Sequence, residues 1–343
     1  MFHKDLIIIN NEKIFKENEA FYCDNLDLKV LPEELNNYYQ VQYIVRSSKK
    51  KSYQKINLRN IKIGSNFLKF IYFVIKTLKI PKANYLIISI TPYTFFSFLL
   101  LFIFNKKKRT FLYLFSSGHE EYKYILGRYF VWIYNIMYKI VTSNSKVIVN
   151  HERLFDKKKS CLINASRLDE DWFRNYKNAL LDKVRFLYIG RINPEKGILQ
   201  FIKMLDKVKF DFNFSIVSNK IEKNISNKNI IQLGYVADSK SLINIYDEHN
   251  IMILPSFTEA SPYVLDESLS RRRPVIIFDD IAYIVRGKVG VFVTKRNIDS
   301  FSSATKYIMD NYLEIQKNIE KNVLPTKKNM IKQISDIIEN INS

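Results

Sequence analysis

Cysteine, histidine, glycine and acidic residues are all scarce in this chain, and each scarcity closes off a class of protein. The two cysteines, Cys23 and Cys161, are too few for a disulfide scaffold or a cysteine-based zinc site, and they fit a reducing compartment. The four histidines, His3, His119, His151 and His249, lie far apart with no metal-ligand spacing among them. The first glycine is Gly64, and no Gly/Ser-rich linker occurs. Internal repeats and heptad runs long enough for a coiled coil are also missing. In the opening MFHKDLIIINNEK, the apolar run Leu6–Ile9 falls short of the roughly 7–15 residues of a secretory core segment, and no small-residue cleavage site follows. The expected location is therefore the cytoplasm.

Acids are outnumbered, with 34 Asp and Glu against 54 Lys and Arg, a net charge of +20. Such a field attracts nucleic acid, anionic lipid or phosphorylated substrates. A Lys/Asn/Ile-biased composition produces the same excess, so charge alone selects no function. Apolar residues are plentiful: 47 % of the chain is hydrophobic, with 25 Phe and 22 Tyr. That supports two packed cores in 343 residues and argues against disorder.

One stretch imitates a membrane span. Residues 85–104, YLIISITPYTFFSFLLLFIF, are followed by the basic run Lys106–Arg109. The punctuation favours a different reading. Tyr85–Ile90 has the β-branched character of a buried parallel strand, and Thr91-Pro92 breaks it. Pro92 suits the first turn of a helix running to about Phe104, and Thr110–Phe115 reads as the next strand.

Apolar runs recur at Leu6–Ile9, Val41–Val45, Tyr85–Ile90, Thr110–Phe115, Lys146–Val149 and Cys161–Ile163, with helical spacing between them, as at Ser65–Ile80 and Leu126–Val141. A second series comprises Val184–Ile189, Asn213–Val217, Asn229–Leu233, Ile251–Leu254, Pro274–Phe278 and Gly290–Val293. Strands alternating with helices imply parallel sheets, and two series imply two doubly wound α/β domains. The expected division is a first domain at 1–166, a polar linker at 167–183, a second domain at 184–310 and terminal helices at 311–343. No Asp-x-Asp pair stands near a strand end.

Two segments carry chemistry. In FLYIGRINPEKGI, Phe186 to Ile198, a strand ends, Gly190 turns the chain, and Arg191 and Lys196 flank a loop closed by Gly197. A guanidinium fork and a compact ammonium in a strand-to-helix loop suit a diphosphate, although two solvated charges would read the same way. In ILPSFTEASPYVLDESLSRRRPVIIF, Ile253 to Phe278, a strand ends in a loop holding Glu259. A helix then starts near Pro262 and ends around Arg271–Arg273, whose charges complement the dipole. The helix start is a seat for phosphate. Glu267 lies about 7 Å further along the axis, the step from a diphosphate to its ribose. Two glutamates eight apart are common by chance. Placed inside strand–loop–helix–strand they carry more information.

Gly190-Arg191…Lys196-Gly197, followed by Pro255-Ser256…Glu259…Glu267…Pro274-Val275-Ile276, resembles retaining glycosyltransferase family 4 (group 1) of GT-B fold. The resemblance covers about residues 140–295 well and the first 120 only as a pattern of elements. It implies two Rossmann-like domains facing a central cleft, the first (1–166) binding the acceptor and the second (184–310) the nucleotide-sugar. It also implies that Arg191, Lys196, Tyr263 and Val264 bind the donor diphosphate, Glu267 the ribose, and Glu259 the transferred sugar. Gly234 and Tyr235, in NIIQLGY, would lie near the base. His119, in FLYLFSSGHEE, would stand at a strand end near the sugar, making it and Glu259 the catalytic candidates. A tail helix after Pro325 would cross back onto the first domain. Several positions depart from the family: Ala260-Ser261-Pro262 replaces its usual glycines, Arg273 and Ser218 each replace a glycine, and the glycine-rich acceptor loop near the N-terminus is absent.

The expected activity is transfer from a UDP- or GDP-sugar to a saccharide or lipid-linked acceptor in cell-surface polysaccharide assembly, without cofactor or metal and without nucleic acid. Phe67–Ile80 and Tyr93–Phe104, bordered by lysines, suggest peripheral docking on the anionic inner face of the membrane. The alternative is that both are core helices. Rival readings of the whole chain are a basic nucleic-acid-binding protein, which lacks any recognised binding motif here, a non-catalytic GT-B subunit, and an integral membrane protein.

Overall fold

The computed structural model describes residues 4–23, 26–52, 54–116, 118–125, 127–219, 225–236, 238–259 and 261–340; His3 and Ala260 lie outside them. The chain forms two compact units, one of residues 1–164 with 328–343 and one of residues 165–327.

Unit 1 is built on a sheet of nine strands among the described residues. Its parallel body is β1 (Asp5–Glu17), β3 (Gln40–Ser47), β5 (Ile61–Gly64), β6 (Asn84–Ile88), β7 (Thr110–Leu114), β8 (Lys146–Val149) and β9 (Ser160–Leu162), in the order β5-β3-β1-β6-β7-β8-β9. The sequence runs locate most of these strands, because strands buried on both faces must be continuously apolar. β1 outruns its apolar run. Beyond a register shift after Ile9 it continues to Glu17 and pairs antiparallel with β2 (Ala20–Cys23), which pairs with β4 (Gln54–Ile56). The short half-polar strands of this arm leave no long apolar signal.

The helices of unit 1 are α1 (Leu26–Leu35), α2 (Phe67–Thr77), α3 (Pro92–Ile103), α4 (Gly118–Ile125) and α5 (Val131–Thr142). Residues 85–104 divide into strand and helix at the expected place. Thr91 caps α3, forming a reciprocal capping box with Thr94, and Pro92 occupies the first turn. No described helix is long and apolar enough to cross a membrane. After Lys327 the chain returns to unit 1 as α11 (Lys327–Glu339), where Tyr39 donates to the Ser335 carbonyl and Gln333 accepts from the Asn164 amide.

Unit 2 is a six-stranded parallel sheet of β10 (Val184–Ile189), β11 (Phe212–Val217), β12 (Ile230–Gly234), β13 (Ile251–Leu254), β14 (Val275–Phe278) and β15 (Val291–Thr294), ordered β12-β11-β10-β13-β14-β15. Its helices are α6 (Ile198–Leu205), α7 (Ser239–Glu248), α8 (Tyr263–Ser270), α9 (Ile298–Asp310) and α10 (Tyr312–Ile319). Strand order reverses between β10 and β13. In such sheets the crevice for a ligand opens at the carboxyl ends of the two strands flanking the reversal.

Two expectations change here. Residues 167–183, read as a linker, lie within unit 2, where Trp172 is buried. Arg271 and Arg273, read only as charges that complement a helix dipole, are buried as well. Arg271 grips Asp247 bidentately, Nε at 3.0 Å and Nη2 at 2.8 Å, and donates to the carbonyls of Trp172, Arg174 and Asn175. Arg273 donates to the carbonyls of His249, Asp247, Arg271 and Lys177. The polar segment 172–177 thus lends its carbonyls to two guanidiniums that would otherwise be buried without enough partners.

Removing the shared carboxylate tests this. Asp247→Ala leaves two buried cations and should destabilise unit 2 by about 3–5 kcal/mol. Urea unfolding followed by the buried Trp172, in a Trp132→Phe background, measures it; a midpoint unchanged from the parent would mean that the cluster contributes little.

Candidate functional site

The site grows from the reversal in unit 2. β10 ends at Ile189, and the Gly190 amide donates to the Val217 carbonyl at 3.0 Å. Tyr188, buried beneath, donates its hydroxyl to the Arg191 carbonyl at 2.7 Å; burial pushes its pKa up, so it stays protonated and remains a donor. A single turn, Pro194–Lys196, leads to Gly197 at φ +63°, which opens α6. A Cβ at Gly197 would stand 2.1 Å from the Pro255 carbonyl oxygen, so only glycine allows this approach. The Phe257 amide donates to the Glu195 carbonyl at 2.9 Å, stitching the loop after β10 to the loop after β13. Burial raises the Glu195 carboxyl pKa, but the Asn193 hydrogen bond, its own amide, and Arg191 and Lys196 outweigh that and hold it below the usual range.

Across this seam Lys196 Nζ lies 2.6 Å from Glu259 Oε1. Ser256 Oγ donates to the same oxygen at 2.6 Å. The Glu259 main chain is clamped too: its amide donates to the Tyr283 hydroxyl at 3.0 Å, which donates back to the Glu259 carbonyl at 2.6 Å. The side chains of Lys196 and Glu259 are 20 % and 9 % exposed, so the pair is largely shielded from solvent but open at one edge. Arg191 is exposed.

α8 starts after Pro262, which is the N-cap rather than the first helical residue. Tyr263 and Val264 form its first turn. Glu267 sits one turn on, on the face of Tyr263. It is buried, and its Oε2 accepts from the Tyr246 hydroxyl at 2.9 Å. Tyr246 is fully buried, and its pKa is raised by desolvation and then by Glu267. Arg167 stacks on the Tyr263 ring at 4.3 Å. Gly234 ends β12 at φ +75°, and Tyr235 beyond it is exposed. β12 is two strands from β10, roughly 10 Å across the sheet.

His119 belongs to unit 1. It lies in the first turn of α4 rather than at the end of a strand, since β7 stops at Leu114. Its ring packs edge-on against Tyr134 and Tyr138, at 4.7 and 5.0 Å, and lines a cavity of about 380 Å³ with Ser116, Glu152, Arg153 and Asp156. Among the described residues no group of three His, Cys, Asp or Glu side chains comes together as a metal set.

Arg296 escaped the sequence reading. Its guanidinium donates to the carbonyls of Pro255 and Ser256 at 3.0 and 3.2 Å, pairs with Asp280 at 2.6 Å, and stacks on Phe257 and Phe278. The available signal was its position two residues beyond β15, at the carboxyl end of the sheet. Tyr246 and Tyr283 carried no signal, because their partners lie 21 and 24 residues away in sequence.

Residues 183–311 match the family model described as glycosyl transferases group 1. A comparison with curated proteins found no match. Among solved structures, the chain is similar to the sucrose-phosphate synthase of Thermosynechococcus elongatus at 12 % identity and a TM-score of 0.73, covering 99 % of each chain. It is similar to Anabaena HepE in complex with UDP and glucose at 12 % identity and a TM-score of 0.70, covering 98 % of this chain and 100 % of that one. A glycosyltransferase of Rickettsia africae matches at 13 % identity and a TM-score of 0.65, covering 99 % of each chain.

The seam yields a prediction. Arg296→Ala frees the two carbonyls beneath Ser256, and Gly197→Ala forces the loops apart. Each should lower thermal stability and weaken nucleoside-diphosphate binding severalfold, whereas Arg296→Lys, keeping charge without the fork, should restore only part. Calorimetric titration with UDP and GDP reads this, and wild-type affinity in both Arg296→Ala and Gly197→Ala would contradict it. Unit 2 thus carries a segment that matches the glycosyl transferases group 1 model, and the two parallel-sheet units have the GT-B fold.

Proposed function

We propose that the chain is a retaining enzyme of glycosyltransferase family 4 that moves a sugar from a UDP- or GDP-sugar to a lipid-linked saccharide, in assembly of a cell-surface polysaccharide. The observation that carries this reading is the meeting of Lys196 and Glu259 at the strand reversal, 2.6 Å apart, with Ser256 on the same carboxylate oxygen. An ammonium has three N–H donors. One serves Glu259, and the others remain for phosphate oxygens. Arg191, Lys196 and the amides of Tyr263 and Val264 bind the diphosphate, and the helix dipole adds to their pull. When the bond from the anomeric carbon to the diphosphate breaks, the leaving anion meets positive groups already in place, so no metal is required. Glu259, clamped by Tyr283, orients the transferred sugar. Glu267 accepts from the ribose with its orientation set by Tyr246, and Gly234 and Tyr235 flank the base.

Relatives support the chemistry and the setting. Anabaena HepE was solved with UDP-glucose, and the similar galactosyltransferase WaaB acts on the lipopolysaccharide outer core. The lipid-linked acceptor also suits a chain of net charge +20 working at an anionic inner membrane face.

Lys196→Met and Arg191→Ala should each weaken nucleoside-diphosphate binding by about 1–3 kcal/mol, the worth of a hydrogen bond to a charged group. Glu267→Gln should act mainly on nucleoside affinity. Glu259→Gln should leave affinity nearly intact and depress turnover, measured as donor hydrolysis or transfer. If the two cation variants bind UDP and GDP like wild type, the site is misplaced; if Glu259→Gln turns over normally, its role is.

Metal independence has its own check. Turnover should survive EDTA, and activity lost to EDTA but restored by Mn²⁺ would sink that part of the reading.

A further inference from the structure

The helical layer of unit 1 has a second apolar face. α2, α3 and α5 send Phe70, Val74, Phe98, Leu101, Tyr134 and Met137 into one core. Helical spacing places a different set on the opposite side of each helix. On α2 these are Leu68, Tyr72 and Ile75; on α3, Phe96 and Ile103; on α5, Trp132, Ile136 and Ile140. Leu68, Ile103 and Trp132 are 78 %, 72 % and 62 % exposed, so they form no part of the fold's own packing. Tyr129, at the entrance to α5, is 89 % exposed. The helices are neighbours: α3 touches both α2 and α5, and the Phe67 ring meets Phe96 edge-on at 5.4 Å. The stripes therefore lie side by side. Phe67–Ile80 and Tyr93–Phe104 each pack one side into the core and leave the other outside, so neither is a wholly buried core helix.

The charge around this face is one-sided. Between Glu34 and Glu152 the only acidic residues are Glu120 and Glu121, so α2, α3, α5 and the chain from α2 to α3 carry none. Lys69, Lys76 and Lys79 accompany α2, Lys106 to Lys108 follow α3, and Lys139 lies on α5. Isolated exposed apolar residues need no explanation, but contiguous aromatic and aliphatic stripes on three adjacent helices mark a contact surface. A second copy of this chain would bring the same lysines against each other, at a cost in like-charge repulsion. A surface both apolar and anionic has no such penalty.

We propose that the α2–α3–α5 face docks on a bilayer leaflet containing anionic lipid. Trp132, Phe96, Tyr72 and their aliphatic neighbours enter the boundary between headgroups and acyl chains, and the lysines meet lipid phosphates. Tyrosine and tryptophan suit this depth because each ring has an apolar body and a polar edge. This deepens the membrane side of the proposed function and rests on it only for the biological setting; its test reads lipid binding and is independent of transfer.

Trp132 provides the readout, because the other tryptophan, Trp172, is buried at 2 % exposure in unit 2. The full chain should sediment with vesicles of mixed phosphatidylglycerol and phosphatidylcholine, and far less with phosphatidylcholine alone. Salt should weaken binding by screening. Tryptophan emission should shift to the blue on anionic vesicles, and Trp132→Phe should abolish the shift while sedimentation persists. The triple variant Leu68→Ser, Trp132→Ser, Ile136→Ser should lose binding tenfold or more with its circular dichroism unchanged. If that variant fails to fold, the shift and its loss in Trp132→Phe decide alone. Absence of binding to anionic vesicles overturns the proposal, and so does binding without a shift, in which charge alone holds the protein. A lipid-free dimer that ignores vesicles would assign the face to a second copy.

Discussion

The carboxylate of Asp247 neutralises two buried guanidiniums, and much of unit 2 is placed by that arrangement. Asp247 stands in the last turn of α7 beside Tyr246, so one helix end makes two attachments to α8. Asp247 holds Arg271 at the C-terminus of α8, while Tyr246 holds Glu267 in its middle. The same arginines draw in the carbonyls of residues 172–177, and Arg273 also caps carbonyls at the end of α7. Charges buried this deeply are tolerated only when nearly every donor is used, and the segment before β10 supplies the acceptors. With the middle and the C-terminal end of α8 fixed from below, its first turn faces the strand reversal in one orientation.

At that reversal, proximity is enforced by backbone. Gly197 lets the chain pass against Pro255, the Phe257 amide bonds to Glu195, and Arg296 ties down the Pro255 and Ser256 carbonyls from the far side. Lys196 and Glu259 then meet with little freedom to rearrange. A site whose groups are positioned before a ligand arrives loses less entropy on binding and less reorganisation during reaction. The Pro255 loop needs this support, because Pro262 leaves the start of α8 without a side-chain cap.

Unit 1 has a different constraint. Its helices are apolar on two sides, and the sheet covers only one. The acid-free stretch from α2 through α3 removes the usual means of keeping such a face soluble by mixed charge. The lysines give solubility while leaving the face attractive to anions. Strand β1, extended into an antiparallel arm, also sets this unit apart from a plain doubly wound sheet.

Most strands and the division into two sheets were legible in the sequence, because parallel strands buried on both faces demand unbroken apolar runs that local composition reveals. The segments Gly190–Gly197 and Pro255–Glu267 were legible for a related reason: turns, helix starts and clustered charges are local features. The arm β2–β4 was not legible, being short, half polar and stabilised by pairing. Nor was the helical position of His119, which the family resemblance placed at a strand end. The contact of Lys196 with Glu259 spans 63 residues, and it exists because β10 and β13 are neighbours in the sheet. Strand order is set by how the whole set of helices covers both faces, so no window of sequence contains it. Burial of Arg271 and Arg273 likewise depends on distant carbonyls. An apolar helix shows in its sequence that it has apolar sides, but which side meets the core depends on what packs there, and for α2, α3 and α5 only the tertiary structure decided that.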